Sequence, residues 1–129
     1  MIKPEIIQAG HIGAIITEIE QNGFRIKALR LTHLSMEDAK KFYEVHQARP
    51  FYQDLCTYMA SGPIVAMVLE KDNAVASFRQ LVGATNPAEA VPGTIRKQFG
   101  KSIEENAIHG SDADSAAAVE AHFFFPDLY

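Results

Sequence analysis

The 129 residues contain a single cysteine, Cys56, so no intramolecular disulfide framework and no cysteine-rich zinc site is available. That scarcity agrees with a reducing compartment, and Cys56 reads as a small core residue. No apolar run approaches the ~18 residues that a membrane-spanning helix needs. The opening Met1-Ile-Lys-Pro4 lacks a basic stretch followed by an apolar one, as a secretory leader would require, so a cytoplasmic location without a membrane partner is expected. Basic charge is also scarce: 12 Lys and Arg face 16 Asp and Glu, a net charge of −4. Such a chain lacks the electrostatic footprint of a dedicated nucleic-acid binder, although a local anion site stays open. Neither a Walker loop nor a GxGxxG fingerprint occurs, so a bound phosphate has to be held by side chains. Low-complexity tracts, internal repeats and Pro- or Gly-rich linkers are absent as well. With 47% hydrophobic residues, residues 1–129 read as one domain able to bury a real core.

What is present is amphipathic periodicity. Ile12, Ile15, Ile16 and Ile19 fall at i, i+3, i+4 and i+7, which predicts a helix stopped by Gly23. Phe24, Ile26 and Ala28 alternate with Arg25 and Lys27, then the apolar phase flips to Leu29 and Leu31. That pattern predicts a strand to about Leu34 with a β-bulge inside it. Ser35-Met-Glu-Asp38 has the form of an N-cap with acidic residues in the first turn, so a second helix should start there and end before Pro50. Tyr52, Leu55, Cys56 and Met59 form another helical set closed by Ser61-Gly62-Pro63, and Ile64 to Leu69 reads as a strand covered on both faces. Asn73 should cap a helix bearing Val75, Phe78 and Leu81. Residues 83 to 100 read as a long loop with a short helix near Ile95 to Phe99, and loops of that length are usually functional. Asn106 to His109 is expected as a short strand, and Ser115 to His122 as a last helix. Layer rules turn this order into a small sheet with helices packed on it, with the β-α-β-β-α-β split unit as the leading candidate.

Among five histidines, His109 has the most suggestive surroundings. It ends an apolar segment and precedes Gly110, which permits close backbone approach, and then Ser111 and Asp112, which can orient an imidazole. A metal site joining His109 and His122 with Asp112 or Asp114 is disfavoured by spacing. Lys3, Arg49, Arg79 and Arg96 all lie beside turns or proline and are the candidate phosphate cations, with ordinary salt bridges as the competing reading.

Asn106-Ala-Ile-His109-Gly-Ser-Asp112 resembles the active-site signature of the nucleoside diphosphate kinases. The likeness continues through Ile2-Lys3-Pro4, Arg49-Pro-Phe51, Ser61 to Met67, Thr85-Asn-Pro-Ala88 and Pro92-Gly-Thr-Ile-Arg96, and so spans essentially the whole chain. It implies a ferredoxin-like α/β (α+β) sandwich, in which a small antiparallel sheet is covered by helices. It also implies a magnesium-dependent, ping-pong transfer of the γ-phosphoryl group from a nucleoside triphosphate to His109 and on to a nucleoside diphosphate. The alternative is a non-catalytic nucleotide-binding regulatory module with the same fold.

By the same resemblance the nucleotide is bound by Lys3, Tyr43, Phe51, Leu55, Arg79, Thr85, Arg96, Ile103 and Asn106. Phe51 stacks on the base, with Leu55 and Ile103 beside it. Catalysis rests on His109 as a pros-phosphohistidine, with Glu120 orienting the ring and Ser111 and Lys3 assisting. Magnesium rides mainly on the phosphates and needs few protein ligands. The partners implied are nucleoside tri- and diphosphates and further copies of the chain, as dimers assembled into a tetramer or hexamer. Two departures stand out: the family's Lys-Pro-Asp-Gly is Lys3-Pro4-Glu5-Ile6 here, with a slight shift of geometry expected. Only Met1 and Ile2 precede Lys3, where the family normally has several more residues, so either this start is truncated or the first strand is short.

Overall fold

The computed structural model describes residues 1–129. Seven helices and two strands follow one another as α1 (Pro4–Gln8), α2 (Ile12–Gln21), β1 (Arg25–Thr32), α3 (Met36–Phe42), α4 (Tyr52–Met59), β2 (Ile64–Glu70), α5 (Ala74–Val82), α6 (Ile95–Phe99) and α7 (Asp114–Phe124). Single 3-10 turns occupy Glu44–His46 and Pro87–Glu89.

β1 and β2 pair antiparallel, and the register slips between Ile26 and Ala28. The phase flip in the sequence is therefore a bulge: Lys27 drops out of the pairing so that the apolar set can change face. Two single bridges extend this ribbon, Ile2 to Val65 and Ile2 to Ile108, both antiparallel. The spatial order is β1, β2, the Ile2 segment, the Ile108 segment, so the first residues of the chain run between the other two segments. That order, with helices as crossovers, is the split β-α-β-β-α-β arrangement.

Side chains alternate across this sheet and feed two cores. Ile2 and Val65 join Ile6, Ile15, Ile19, Ile95 and Ile108 on one face, whereas Met1 and Ile64 join Leu34, Ala39, Cys56 and Met59 on the other. A two-faced sheet is why Ile64 to Leu69 is a continuous apolar run. Cys56 is fully buried in the second core.

The capping of α3 follows the sequence: Ser35 Oγ accepts from Asp38 N–H at 3.0 Å, and the Asp38 carboxylate accepts from Ser35 N–H. Elsewhere the structure corrects expectation. α1 has no counterpart in the sequence reading, because five residues give too few repeats to show a period. The helix begun at Ser35 stops at Phe42 and passes into the 3-10 turn. Asn73 does precede α5, but with φ at +52° and no side-chain hydrogen bond, so it serves as a left-handed entry and not as a cap. The expected strand at Asn106 to His109 shrinks to one bridge, because Ala107 takes φ +76° and extended backbone cannot pass through it.

Candidate active site

The turn that follows Ala107 delivers His109 to the floor of an open cleft. The cleft is walled by the end of α3, the start of α4, the end of α5, the loop through Pro92 and Arg96, and α7. Lys3, Tyr43, Phe51, Leu55, Arg79, Thr85, Arg96, Ile103, Asn106, His109 and Glu120 all line it. These residues are scattered over more than a hundred positions of sequence, and folding brings every one of them to a single concavity. Ser111 sits just behind, bonded to Glu120. The long loop from Gly83 to Gly100 supplies one wall, as loops of that length often do.

His109 is fixed on three sides. Its Nε2 meets Glu120 Oε1 at 2.6 Å, and Ser111 Oγ donates to the same oxygen at 2.9 Å. The rings of Phe42 and Tyr43 meet the imidazole edge-on, with centroids 5.6 and 6.4 Å away. Gly110 lets the chain pass under Phe78: a Cβ there would lie 2.8 Å from Cδ2 of that ring. Burial holds the His109 pKa below the ordinary histidine value, and the hydrogen bond to Glu120 only partly offsets it. Burial would raise the Glu120 carboxyl, but hydrogen bonds from His109 and Ser111 win and keep it below the usual carboxylate range. At neutral pH the pair is thus a neutral imidazole donating Nε2–H to a carboxylate. The lone pair sits on Nδ1, which makes no hydrogen bond within the protein.

The cations facing His109 are unpaired. Ion pairs in the molecule are limited to Arg25 with Glu70 at 3.8 Å and the His109–Glu120 contact, so ordinary salt bridges do not account for Arg49, Arg79 or Arg96. Arg96 instead donates to Gly83 O at 3.1 Å and Ile108 O at 2.8 Å, which pins the loop to the segment that carries His109. Lys3 is buried and reaches Glu104 O at 3.3 Å. Desolvation brings its pKa down to about 8, opposed by Glu5 and reinforced by Arg96.

Four polar atoms of residues that line the cleft are buried and without partners: Tyr43 OH, His46 Nδ1, Arg96 Nε and Asn106 Oδ1. Such orphans are uncommon and need an explanation; a polar ligand in the cleft that these residues line would supply partners for them. Asn106 donates its Nδ2 to Thr85 O at 3.1 Å, which links two of the expected ligand contacts. Phe51 is 45% exposed and is flanked by the guanidinium of Arg49, 5.8 Å from its ring centre. Nowhere do three His, Cys, Asp or Glu side chains converge as a metal cage. Sequence reasoning missed Phe42, which braces the histidine ring, and the hold that Glu5 keeps on Ala107; no local pattern announced either contact.

The nucleoside diphosphate kinase family model matches residues 1–128. The nucleoside diphosphate kinase of Flavobacterium psychrophilum is 59% identical over 125 residues, which is 97% of this chain and 90% of that protein. That of Campylobacter fetus is 57% identical, covering 97% and 91%. Among solved structures, the Aquifex aeolicus nucleoside diphosphate kinase superposes with a TM-score of 0.96 at 42% identity, covering 98% of this chain and 92% of that one. The Halobacterium salinarum nucleoside diphosphate kinase in complex with CDP gives 0.93 at 38% identity, covering 96% and 83%. Fold and kinship agree, and this chain belongs to the nucleoside diphosphate kinase family.

Proposed function

We propose that residues 1–129 act as one nucleoside diphosphate kinase domain, passing a γ-phosphoryl group from a nucleoside triphosphate to His109 and then to a nucleoside diphosphate. The observation that carries this reading is the neutral, carboxylate-oriented imidazole set among unpaired cations and orphaned polar atoms in one cleft. In the first half-reaction the Nδ1 lone pair attacks the γ-phosphorus, the bond from phosphorus to the bridging oxygen breaks, and the diphosphate departs with that electron pair. Positive charge that develops on the ring is met by Glu120 through Nε2–H, with no proton transfer needed. The second half-reaction runs the same path backwards with a new diphosphate, which is why one nucleophile serves two difficult exchanges. Lys3, Arg79 and Arg96 spread positive charge over the migrating group, and preorganised charge of that kind is the largest lever on phosphoryl transfer.

Tyr43, Thr85 and Asn106 hold the phosphates and ribose, and Phe51 stacks on the base with Leu55 and Ile103 beside it. The cleft carries the carboxylates of Glu89, Glu104 and Asp112 but no cage. That suits Mg²⁺, which takes one or two carboxylates and several phosphate oxygens; Asp112, three residues past His109, would be one of the carboxylates to hold it. When bound, the ion neutralises phosphate charge. We further propose a homo-oligomer of dimers, a tetramer or hexamer, working in the cytoplasm; no helix is long and apolar enough to cross a membrane. The non-catalytic alternative has no observation in its favour.

Incubation with γ-labelled ATP tests the proposal. Acid-labile, base-stable label on the protein, discharged by added diphosphate, is the expected result. A folded chain that never takes up label overturns it.

A further inference from the structure

Ala107 lies two residues ahead of His109 and has φ at +76°, a region that L residues with a Cβ rarely enter. Ile108 N–H donates back to Asn106 O at 3.0 Å and closes a γ-turn around Ala107, a strained form when its central φ is positive. Such a conformation persists only where its surroundings over-determine it. Here they do so from one short segment. Lys3 N–H donates to Ala107 O at 2.9 Å, and Ala107 N–H donates to Glu5 Oε1 at 2.9 Å in a buried bond.

Glu5 is only 9% exposed, and its second carboxylate oxygen, Oε2, is buried without a partner. A half-satisfied carboxyl group in the interior is costly. The bond it does make falls on the amide that sets the direction of the chain into His109. Resting on the phosphoryl-transfer reading above, we infer that Glu5 is a positioning residue: its Oε1 clamps the Ala107 amide and thereby keeps the left-handed turn that aims His109 Nδ1 into the cleft. Glu5 touches no reacting atom; it acts through the backbone.

The test is the single-turnover rate of His109 labelling by γ-labelled ATP in the full chain, measured beside ADP affinity and thermal stability. Glu5→Leu keeps volume but loses the acceptor. Its labelling rate should fall roughly tenfold or more, as misaimed groups do, while ADP affinity stays within about twofold because no ligand contact is removed. Adding Ala107→Gly, which makes positive φ free of strain, should restore most of the rate. Glu5→Gln keeps an oxygen at the same reach and should stay within about threefold of the parent.

A Glu5→Leu enzyme that is less stable but labels at the parental rate overturns the inference, and so does a double variant that folds yet stays slow. Where Glu5→Leu alone does not fold, Glu5→Gln decides: a rate within about threefold supports the clamp, and a loss of roughly tenfold overturns it. A parent chain that takes up no label defeats the phosphoryl-transfer reading itself, a result distinct from any of these.

Discussion

At one end of the cleft Lys3, Arg96, Asn106 and His109 are buried or half-buried, and each is tied to a backbone carbonyl or a carboxylate. At the other end Phe51 and Ile103 stand 45% and 61% exposed, and the neighbours of Phe51 are the Arg49 guanidinium and the His46 ring. The first end is a fixed frame in which displacing one group disturbs several bonds. The second is an open platform that offers a face and little directional hydrogen bonding. Exactitude is thus concentrated where a bond must form, and latitude where bases differ. An enzyme built so is expected to be demanding about the phosphate and permissive about the base.

The sharpest way to break this contrast is His109→Ala. Labelling and nucleotide exchange should both vanish while thermal stability stays close to the parent, since the atom that forms the covalent bond is gone. Exchange surviving in a pure sample would end the mechanism. Arg79→Ala and Arg96→Ala should lower turnover strongly, because these cations answer charge that shifts during transfer. Arg96→Lys keeps charge but loses the fork to Gly83 O and Ile108 O. It should cost about 1 to 3 kcal/mol of transition-state stabilisation, read from kcat/KM; an Arg96→Lys enzyme that matches the parent would show that a point charge suffices.

A pH profile sharpens the same end. The Lys3 ammonium has a pKa of about 8 and in its proposed role would bind phosphate only while protonated, so kcat/KM should decline as pH rises through 8. The His109 imidazole is a nucleophile only when neutral and is held below the ordinary histidine value, so the acid limb should lie below pH ~6.5. Because folding depresses this pKa, the stability contributed is present above the unfolded value and lost as pH falls through the folded one. An acid limb at or above the free-histidine value would count against the neutral imidazole.

At the open end, Phe51→Ala should weaken binding of all nucleotides, by about 1 kcal/mol, the low side for base stacking since the ring is half exposed. Equilibrium binding of purine and pyrimidine diphosphates measures it. The smallest effect expected is discrimination between bases. Purines should lead through their larger faces, and a single base favoured by over a hundredfold, about 2.7 kcal/mol, would reverse the comparison.

Legibility in the sequence followed the same divide between local and long-range causes. The isoleucine spacing of α2, the N-cap at Ser35 and the phase flip that marks the β1 bulge are near-neighbour effects, and the residue pattern alone shows them. Gly110 was legible as a point of close approach, though not that Phe78 is what it approaches. His109 stood out from the residues around it, but Glu120, Tyr43 and Phe51 entered only through the family likeness, because no spacing rule joins positions that a fold brings together from far apart. The strand expected at Asn106 failed for a reason of the same kind: Ala107 has no local cause to turn left-handed, and the groups that hold it, Lys3 and Glu5, lie about a hundred residues earlier. α1 was too short to carry a period.

Arg96 offers a lesson for whoever samples variants of this chain in living cells. Its guanidinium bolts the loop at Gly83 to the backbone at Ile108, so losing it should loosen the fold by about 1 to 2 kcal/mol even where no nucleotide is present. Destabilisation of that size changes steady-state abundance several-fold through proteolysis. A screen that scores activity per cell would therefore charge Arg96 with two losses, and immunoblots beside the assay would separate missing enzyme from slow enzyme.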